Sequence, residues 1–352
     1  MTAATLRPQR TTLVLAGLAA AVLALALLGL ALGPVQVPLA DTVRVLVGAE
    51  PSDPRWQVIV TSLRLPRVLT ALAAGSALGV AGLQLQTLFR NTLADPYILG
   101  VSSGASLGVA LVVLLGGAAG VGFSTGAAGA SRTGEVIAAA LGAAAMLTLV
   151  LTLSRWTRSA ATLLLIGVMI GAASTALVSL ALVYSDPQRV QQYLLWGLGS
   201  FAATGWADLR LLLPLVAVGL AAAAMTIRPL NALLLGESYA ATMGVNVRRA
   251  RVITVASASL LAGVTTAFCG PIAFLGLVVP HVARIAVGTS DHRVVVPAVV
   301  LLGAVAALGC GIASQVPNSN LVIPINAVTA LVGAPIVITV LLRARRGSGV
   351  PS

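Results

Sequence analysis

LLLPLVAVGLAAAAMTIRPLNALLLGESYAATMGVNVRRARVITVASASLLAGVTTAFCG, residues 211–270, holds two apolar runs, 211–227 and 252–270, with a polar island between them. The island carries Gly236, Glu237 and Gly244, then Arg248, Arg249 and Arg251. An apolar run of about 20 residues crosses a bilayer as a helix, because a helix satisfies its own backbone hydrogen bonds. The stretch therefore reads as two crossings joined by a polar segment outside the bilayer. Long uncharged runs recur at 11–33, 68–89, 136–154 and 159–185. The chain is 58% hydrophobic and 9% charged, where a soluble domain is about a quarter charged. The fold class that follows is an all-α polytopic membrane protein.

Spans are expected at 11–33, 68–89, 96–115, 136–154, 159–185, 211–227, 252–270, 272–287, 294–313 and 322–342, about ten transmembrane helices in one domain, 1–352. Residues 190–204 are too short and broken to span and read as a short extracytoplasmic helix. Arg7 and Arg10 precede the first run, but that run is longer than the roughly 7–15 residues of a signal peptide's apolar core. It reads as a retained first span. An even number of crossings puts both tails, 1–10 and 343–352, on one side. All 21 basic residues are arginine. Seven of these (Arg44, Arg55, Arg64, Arg67, Arg132, Arg189 and Arg210) fall on the other side, and the remaining two-thirds share a side with the termini. That excess makes the termini and the 229–246 segment cytoplasmic. It also accounts for the net charge of +12 without nucleic acid.

The absence of lysine removes the Walker A phosphate loop, so any ATP used is hydrolysed on another chain. Cys269 and Cys310 both sit in apolar runs and read as buried small hydrophobes. His281 and His292 have no helix-spaced His, Cys or carboxylate partner, so no metal site is expected. No nucleophile, base and metal set is apparent either, which sets aside a membrane enzyme. Gly75, Gly79 and Gly82, and then Gly100, Gly104 and Gly108, are spaced for close helix crossing in lipid. The glycine-rich 116–131 reads as an outer loop.

Three further stretches exceed a generic bundle. RLPR, Arg64 to Arg67, places two arginines at the outer mouth of the second span, with Pro66 suited to a first helical turn. Such charges anchor by snorkelling or dock an acidic partner. In RNTLADPYILGVSSGASLG, 90–108, Asp95 and Pro96 turn the chain into a helix with Ser102, Ser103 and Ser106. Those hydroxyls either line a wet pathway or bond back to their own helix. In GPIAFLGLVVPHVARIAVGTSDHR, 270–293, Gly270 and Pro271 break a helix, a short helix follows, and Asp291 to Arg293 close a turn. A broken helix is tolerated in a membrane only when protein or a cavity surrounds it.

In this order the stretches resemble the permease subunits of the iron–siderophore and vitamin B12 ABC importer family. The resemblance rests on RLPR, RNTLADP (90–96), Leu99–Gly100, Gly104–Ala105, Leu235 to Glu237, Gly244–Val245, GPIAFLGLVVPH (270–281), DHR (291–293) and TALVGAP (329–335). It runs collinearly from about residue 60 to the C-terminus. It implies a bacterial cell-membrane permease that moves a ferric siderophore or similar large metal chelate into the cytoplasm by alternating access. It implies a second permease subunit, two cytoplasmic ATPases carrying ATP and Mg, and an extracytoplasmic binding protein. No cofactor is implied for the chain itself. Arg64 and Arg67 inherit docking of the binding protein. The 229–246 loop inherits coupling to the ATPase through Gly236, Glu237, Ala241 and Gly244. The family usually reads E-L-P-V-G before its last span, where this chain has Val322, Ile323, Pro324, Ile325 and Asn326. The rival class is an ion-coupled secondary transporter. Such proteins place acids inside their spans, and none of the nine acids here falls mid-span.

Overall fold

The uncharged runs fold as helices, with Gly, Pro and Asp marking their ends. The computed structural model describes residues 8–115, 128–156, 160–315 and 323–347. In chain order the helices are α1 (Pro8–Ala31), α2 (Leu39–Leu46), α3 (Pro54–Val58), α4 (Leu65–Leu88), α5 (Val101–Leu115), α6 (Ala128–Trp156), α7 (Ala160–Val183) and α8 (Pro187–Gly197). They continue with α9 (Trp206–Met225), α10 (Ile227–Leu233), α11 (Glu237–Thr242), α12 (Val247–Cys269), α13 (Leu275–Val287), α14 (His292–Ala313) and α15 (Ile325–Gly347). Among the described residues there is no β-strand. Six helical segments there are long and apolar enough to cross a membrane, and four shorter apolar helices accompany them: Val101–Leu114, Gly134–Val150, Leu275–Val287 and Ile325–Thr339. The expected outer loop 116–131 lies mostly outside the described residues, as does Val322.

The second span begins earlier than RLPR suggests. A π-helical stretch, Ile59–Arg64, joins α3 to α4 without a break, so Pro66 sits inside a continuous helical run from Pro54. A proline removes a backbone donor and crowds the carbonyl four residues earlier. The wider π turn directly before it makes room for the ring. Pro66 is the second residue of α4, in the first turn that RLPR suggests, and the π turn extends the helical run before it.

α4 is the enclosed rod of the bundle, packed by α14, α12, α13 and α9. Its glycines set the closest crossing. A Cβ on Gly75 would overlap the Gly303 carbonyl of α14, and one on Gly303 would overlap that of Gly75. Gly104 and Gly142 make the same reciprocal approach between α5 and α6. In lipid, where apolar burial drives helices together weakly, such backbone contact is the packing term available.

Two discontinuities interlock inside the bundle. After α4 the chain turns through residues 91–95, and a 3-10 turn, Pro96–Leu99, leads into α5. After α12, residues 270–274 run irregularly into α13. The Tyr97 hydroxyl accepts from the Ile272 N–H at 3.0 Å, and Gly276 packs on Pro96. The 3-10 turn thus supplies a polar partner to the irregular 270–274 backbone, as buried backbone requires.

The bundle has two distinct ends. α4 starts near the end of α1, where Arg64 contacts Leu30 and Val35, and finishes beside α10, where Arg90 contacts Leu233. α12 runs in the opposite sense, from α11 to the turn after α8. The start of α1 lies at the α11 end, since Arg10 donates to Ala286 O, beyond the middle of α13.

Candidate functional site

At the α11 end, the island of the opening stretch is a hairpin of two short helices. α10 and α11 are joined by Leu234 to Gly236, and Gly236 takes φ +121°, a conformation that favours glycine. The same glycine leaves room for Arg90, whose guanidinium would meet any Cβ there and donates to Leu233 O at 3.2 Å. Glu237 opens α11 and accepts from Arg251 of α12 at 2.8 Å. Gly244 (φ +81°) ends α11, with Val245 N–H bonded back to Ala240 O. The Asn246 side chain then caps α12 through the Arg249 N–H. Ala240 is buried and Ala241 exposed. Leu235, Tyr239 and Met243 are each more than half exposed. The hairpin is therefore braced from beneath and presents an apolar tip. Of its three arginines, Arg248 and Arg249 face outward, whereas Arg251 is the buried half of the brace.

A buried polar chain anchors this hairpin, and sequence reasoning missed it. Asn231 of α10 donates through Nδ2 to Asp291 Oδ1 at 2.6 Å. A carboxylate oxygen only accepts, so Oδ1 of Asn231 faces His292, taking its N–H and its Nδ1 proton, each at 2.8 Å. His292 Nε2 then lies 2.9 Å from the Thr87 hydroxyl of α4. Burial works against ionisation of Asp291, yet the Arg293 N–H and the Asn231 amide outweigh it and hold the carboxyl below its usual range. DHR alone reads as a turn and Asn231 carries no local signal, because the four members come from three distant segments. Nearby, Gln86 of α4 accepts from Arg284 at 3.0 Å and donates to Leu277 O at 3.0 Å. Gln84 contacts Thr226 and Ser257. α4 is thereby tied to α10, α12, α13 and α14.

At the other end, Arg64 and Arg67 do not project side by side. Arg64 is 5% exposed, and its guanidinium donates to Leu30 O at 2.7 Å and to Val35 O. Two carbonyls freed where α1 ends replace the water it would otherwise need. Arg67 is half-buried and lines a pocket of about 150 Å3 with Leu198, Ser200, Ser314, Gln315 and Ile325. Its Nε is buried without a hydrogen-bond partner among the described residues. Beside that pocket lies a cavity of about 500 Å3, walled by Gln188, Gln191, Gln192, Leu195 and Trp196 of α8, Glu135 of α6, and Phe268 and Cys269 of α12. Gln192 donates to Glu135. Ser102, Ser103 and Ser106 are partly buried on α5 and do not line this cavity. Ser106 bonds Tyr193 of α8, and Ser103 packs near Gly171 of α7. Among the described residues no group of three or more His, Cys, Asp or Glu is placed to hold a metal ion.

Residues 21–343 match the model of the FecCD transport family. The chain belongs to that family. The family is one of ABC-importer permeases, multi-pass proteins of the membrane. Among its relatives, the vitamin B12 import system permease protein of Klebsiella pneumoniae is 37% identical over 291 residues, covering 83% of this chain and 84% of that protein. The hemin transport system permease protein of Yersinia pestis is 37% identical over 322 residues, covering 90% and 92%. A solved metal-chelate type ABC transporter in an inward-facing conformation superposes with a TM-score of 0.81 at 30% identity, covering 94% of this chain and 98% of that one.

Proposed function

We propose that this chain is the permease half of an ATP-driven importer that carries a large metal chelate into the cytoplasm by alternating access. The observation that carries the reading is the braced hairpin. Leu235, Tyr239 and Met243 form an apolar tip that is exposed at the bundle's end. It sits beside Arg228, Arg248 and Arg249, the arginine-rich side that belongs in the cytoplasm. Such a tip fits a groove on an ATPase that binds ATP and Mg, and Gly236, Glu237, Ala241 and Gly244 shape it.

At the opposite, extracytoplasmic end, a binding protein delivers the chelate. Arg67, with an unpaired Nε in its pocket, is the residue that meets an acidic group of that partner. Arg64 shapes the surface by holding the end of α1 to α4. A second permease subunit, identical or paralogous, completes the passage. No bond is made or broken by this chain. The cargo class is a metal chelate, of which a ferric siderophore is the member proposed; cobalamin and haem are the cargoes named for two relatives.

Proteoliposomes holding the permease with its ATPase and binding protein test this with labelled ferric siderophore, cobalamin and haem. Uptake should require internal or external ATP on the ATPase side and should favour the siderophore. Preference for cobalamin or haem would move the cargo within the class. Uptake by the chain alone under a proton gradient, indifferent to ATP, would establish the secondary-transporter reading instead.

A further inference from the structure

α9 carries an apolar stripe that the described residues leave bare. Leu211, Val218 and Met225 are each more than half exposed, and they recur at intervals of about two helical turns, so they share one face. α9 is long and apolar enough to cross a membrane. A bare stripe on such a helix is a surface for acyl chains.

The stripe runs into a pocket. A cavity of about 510 Å3 opens where α9 passes into α10, against the start of α12. Met225 ends the stripe and also forms part of the pocket wall, and Pro229 and Ile253 continue the apolar surface. The polar lining is of one kind. Arg228 and Arg249 are exposed, and among the described residues neither guanidinium has a hydrogen-bond or ion-pair partner. Asn246 lines the pocket as well. Its Oδ1 already accepts from the Arg249 N–H at 2.9 Å, which leaves the donor end of the amide for a ligand. Among the described residues no carboxylate lines the pocket.

Positive donors directly beyond an apolar stripe match one chemistry, a phosphate carrying acyl chains. A soluble anion would use the arginines and leave the stripe unused. The tip proposed to meet an ATPase lies elsewhere: Leu235 and Tyr239 are outside the pocket, and Met243 borders both. The arginine-rich end belongs on the cytoplasmic side, where the leaflet carries anionic lipid.

We propose that this pocket binds an anionic phospholipid of the cytoplasmic leaflet. Arg228, Arg249 and the Asn246 amide hold the phosphodiester, and an acyl chain lies along α9 from Met225 to Val218. Those seven residues cover about 10 Å of helix, within the roughly 15 Å of one leaflet's hydrocarbon. The lipid fills the angle between α9, α12 and the root of the hairpin. It thereby supports from the membrane side a hairpin that Arg90 and Arg251 brace from within the protein.

Native mass spectrometry tests this on the assembled transporter in detergent, titrated with dioleoylphosphatidylglycerol, dioleoylphosphatidylcholine or inorganic phosphate. The parent should hold phosphatidylglycerol at one saturable site per permease chain and phosphatidylcholine more weakly. Each arginine at a membrane surface is worth on the order of fivefold in affinity, so Arg228→Gln with Arg249→Gln should weaken phosphatidylglycerol binding roughly thirtyfold. Arg248→Gln, exposed but outside the pocket, should leave that binding unchanged. Parent-like binding by the folded double variant overturns the proposal. Equal binding of the two lipids overturns it as well, since that is ordinary annular lipid. Displacement of phosphatidylglycerol by millimolar phosphate would make this a soluble-anion site instead. Phosphatidylglycerol held by the permease alone but lost when the ATPase is present would assign the pocket to the ATPase interface, which also overturns the proposal.

Discussion

Asn231 can hold the hairpin because the two ends of its amide are chemically different. Its donor end faces the Asp291 carboxylate and its acceptor end takes two protons from His292. Asn231→Leu leaves the N–H and Nδ1 of buried His292 without their acceptor, and an unmet buried polar group costs about 1–3 kcal/mol. The purified permease should lose stability of that order in thermal melting, and ATP hydrolysis should become less responsive to the binding protein. Asp41, in the first turn of α2, gives a pH-dependent case. The Ser52 hydroxyl at 2.6 Å and the Ser52 N–H at 2.9 Å hold its carboxyl below the ordinary range, with Arg44 assisting and burial opposing. A depressed carboxyl contributes stability that is present above its unfolded value of about 3.9 and is lost as pH falls through the folded one. Melting temperature should therefore drop below about pH 4 in the parent and drop less steeply in Asp41→Asn. Parallel curves for the two proteins would remove Asp41 from the account.

Among the elements, α10–α11 and the α4·α14 crossing make opposite demands on sequence. The hairpin tip is exposed, so Tyr239→Asp disturbs little inside the permease. It should abolish co-purification of the ATPase while the permease still melts at its parent temperature. The crossing tolerates no side chain. Gly75→Leu would drive a side chain into the Gly303 backbone and should cost about 3 kcal/mol or more, beyond the usual range for overpacking. It should be read as loss of folded yield from detergent. The crossing, the spans and the hairpin were all legible in sequence because each is local: a small-residue spacing, an apolar run, a glycine-punctuated island. Arg64 was legible as a charge at the right end, but its inward turn depends on Leu30 and Val35, which nothing local connects to it. Pro66 marks the first turn of α4, but the π turn that carries the helix on before it has no local signal. Asn231 and Gln86 were silent as sequence, since a lone amide gains meaning only from partners tens or hundreds of residues away. The three serines of α5 stand differently. Their hydroxyls suit either a lined pathway or bonds to their own helix; the structure gives Ser106 to Tyr193, and none of the three lines the cavity under α8.

Across the whole molecule, two rods join the two ends. α4 carries Arg67 near one end and leads to Arg90 just past the other; α12 starts beside the hairpin and stops at the break beneath α8. Buried amides and hydroxyls tie these rods to each other and to α13 and α14, so a push on the hairpin moves a packed body instead of a single helix. In the proposed importer, that arrangement is the route by which an ATPase at the hairpin would act on the far end of the bundle. The most direct test measures ATP-dependent chelate uptake and ATP hydrolysis together in proteoliposomes containing permease, ATPase and binding protein. The account predicts that uptake by the parent requires ATP and that Tyr239→Asp abolishes uptake while the permease remains folded in the membrane. Undiminished uptake by Tyr239→Asp, or uptake by the parent without any ATPase present, would contradict it.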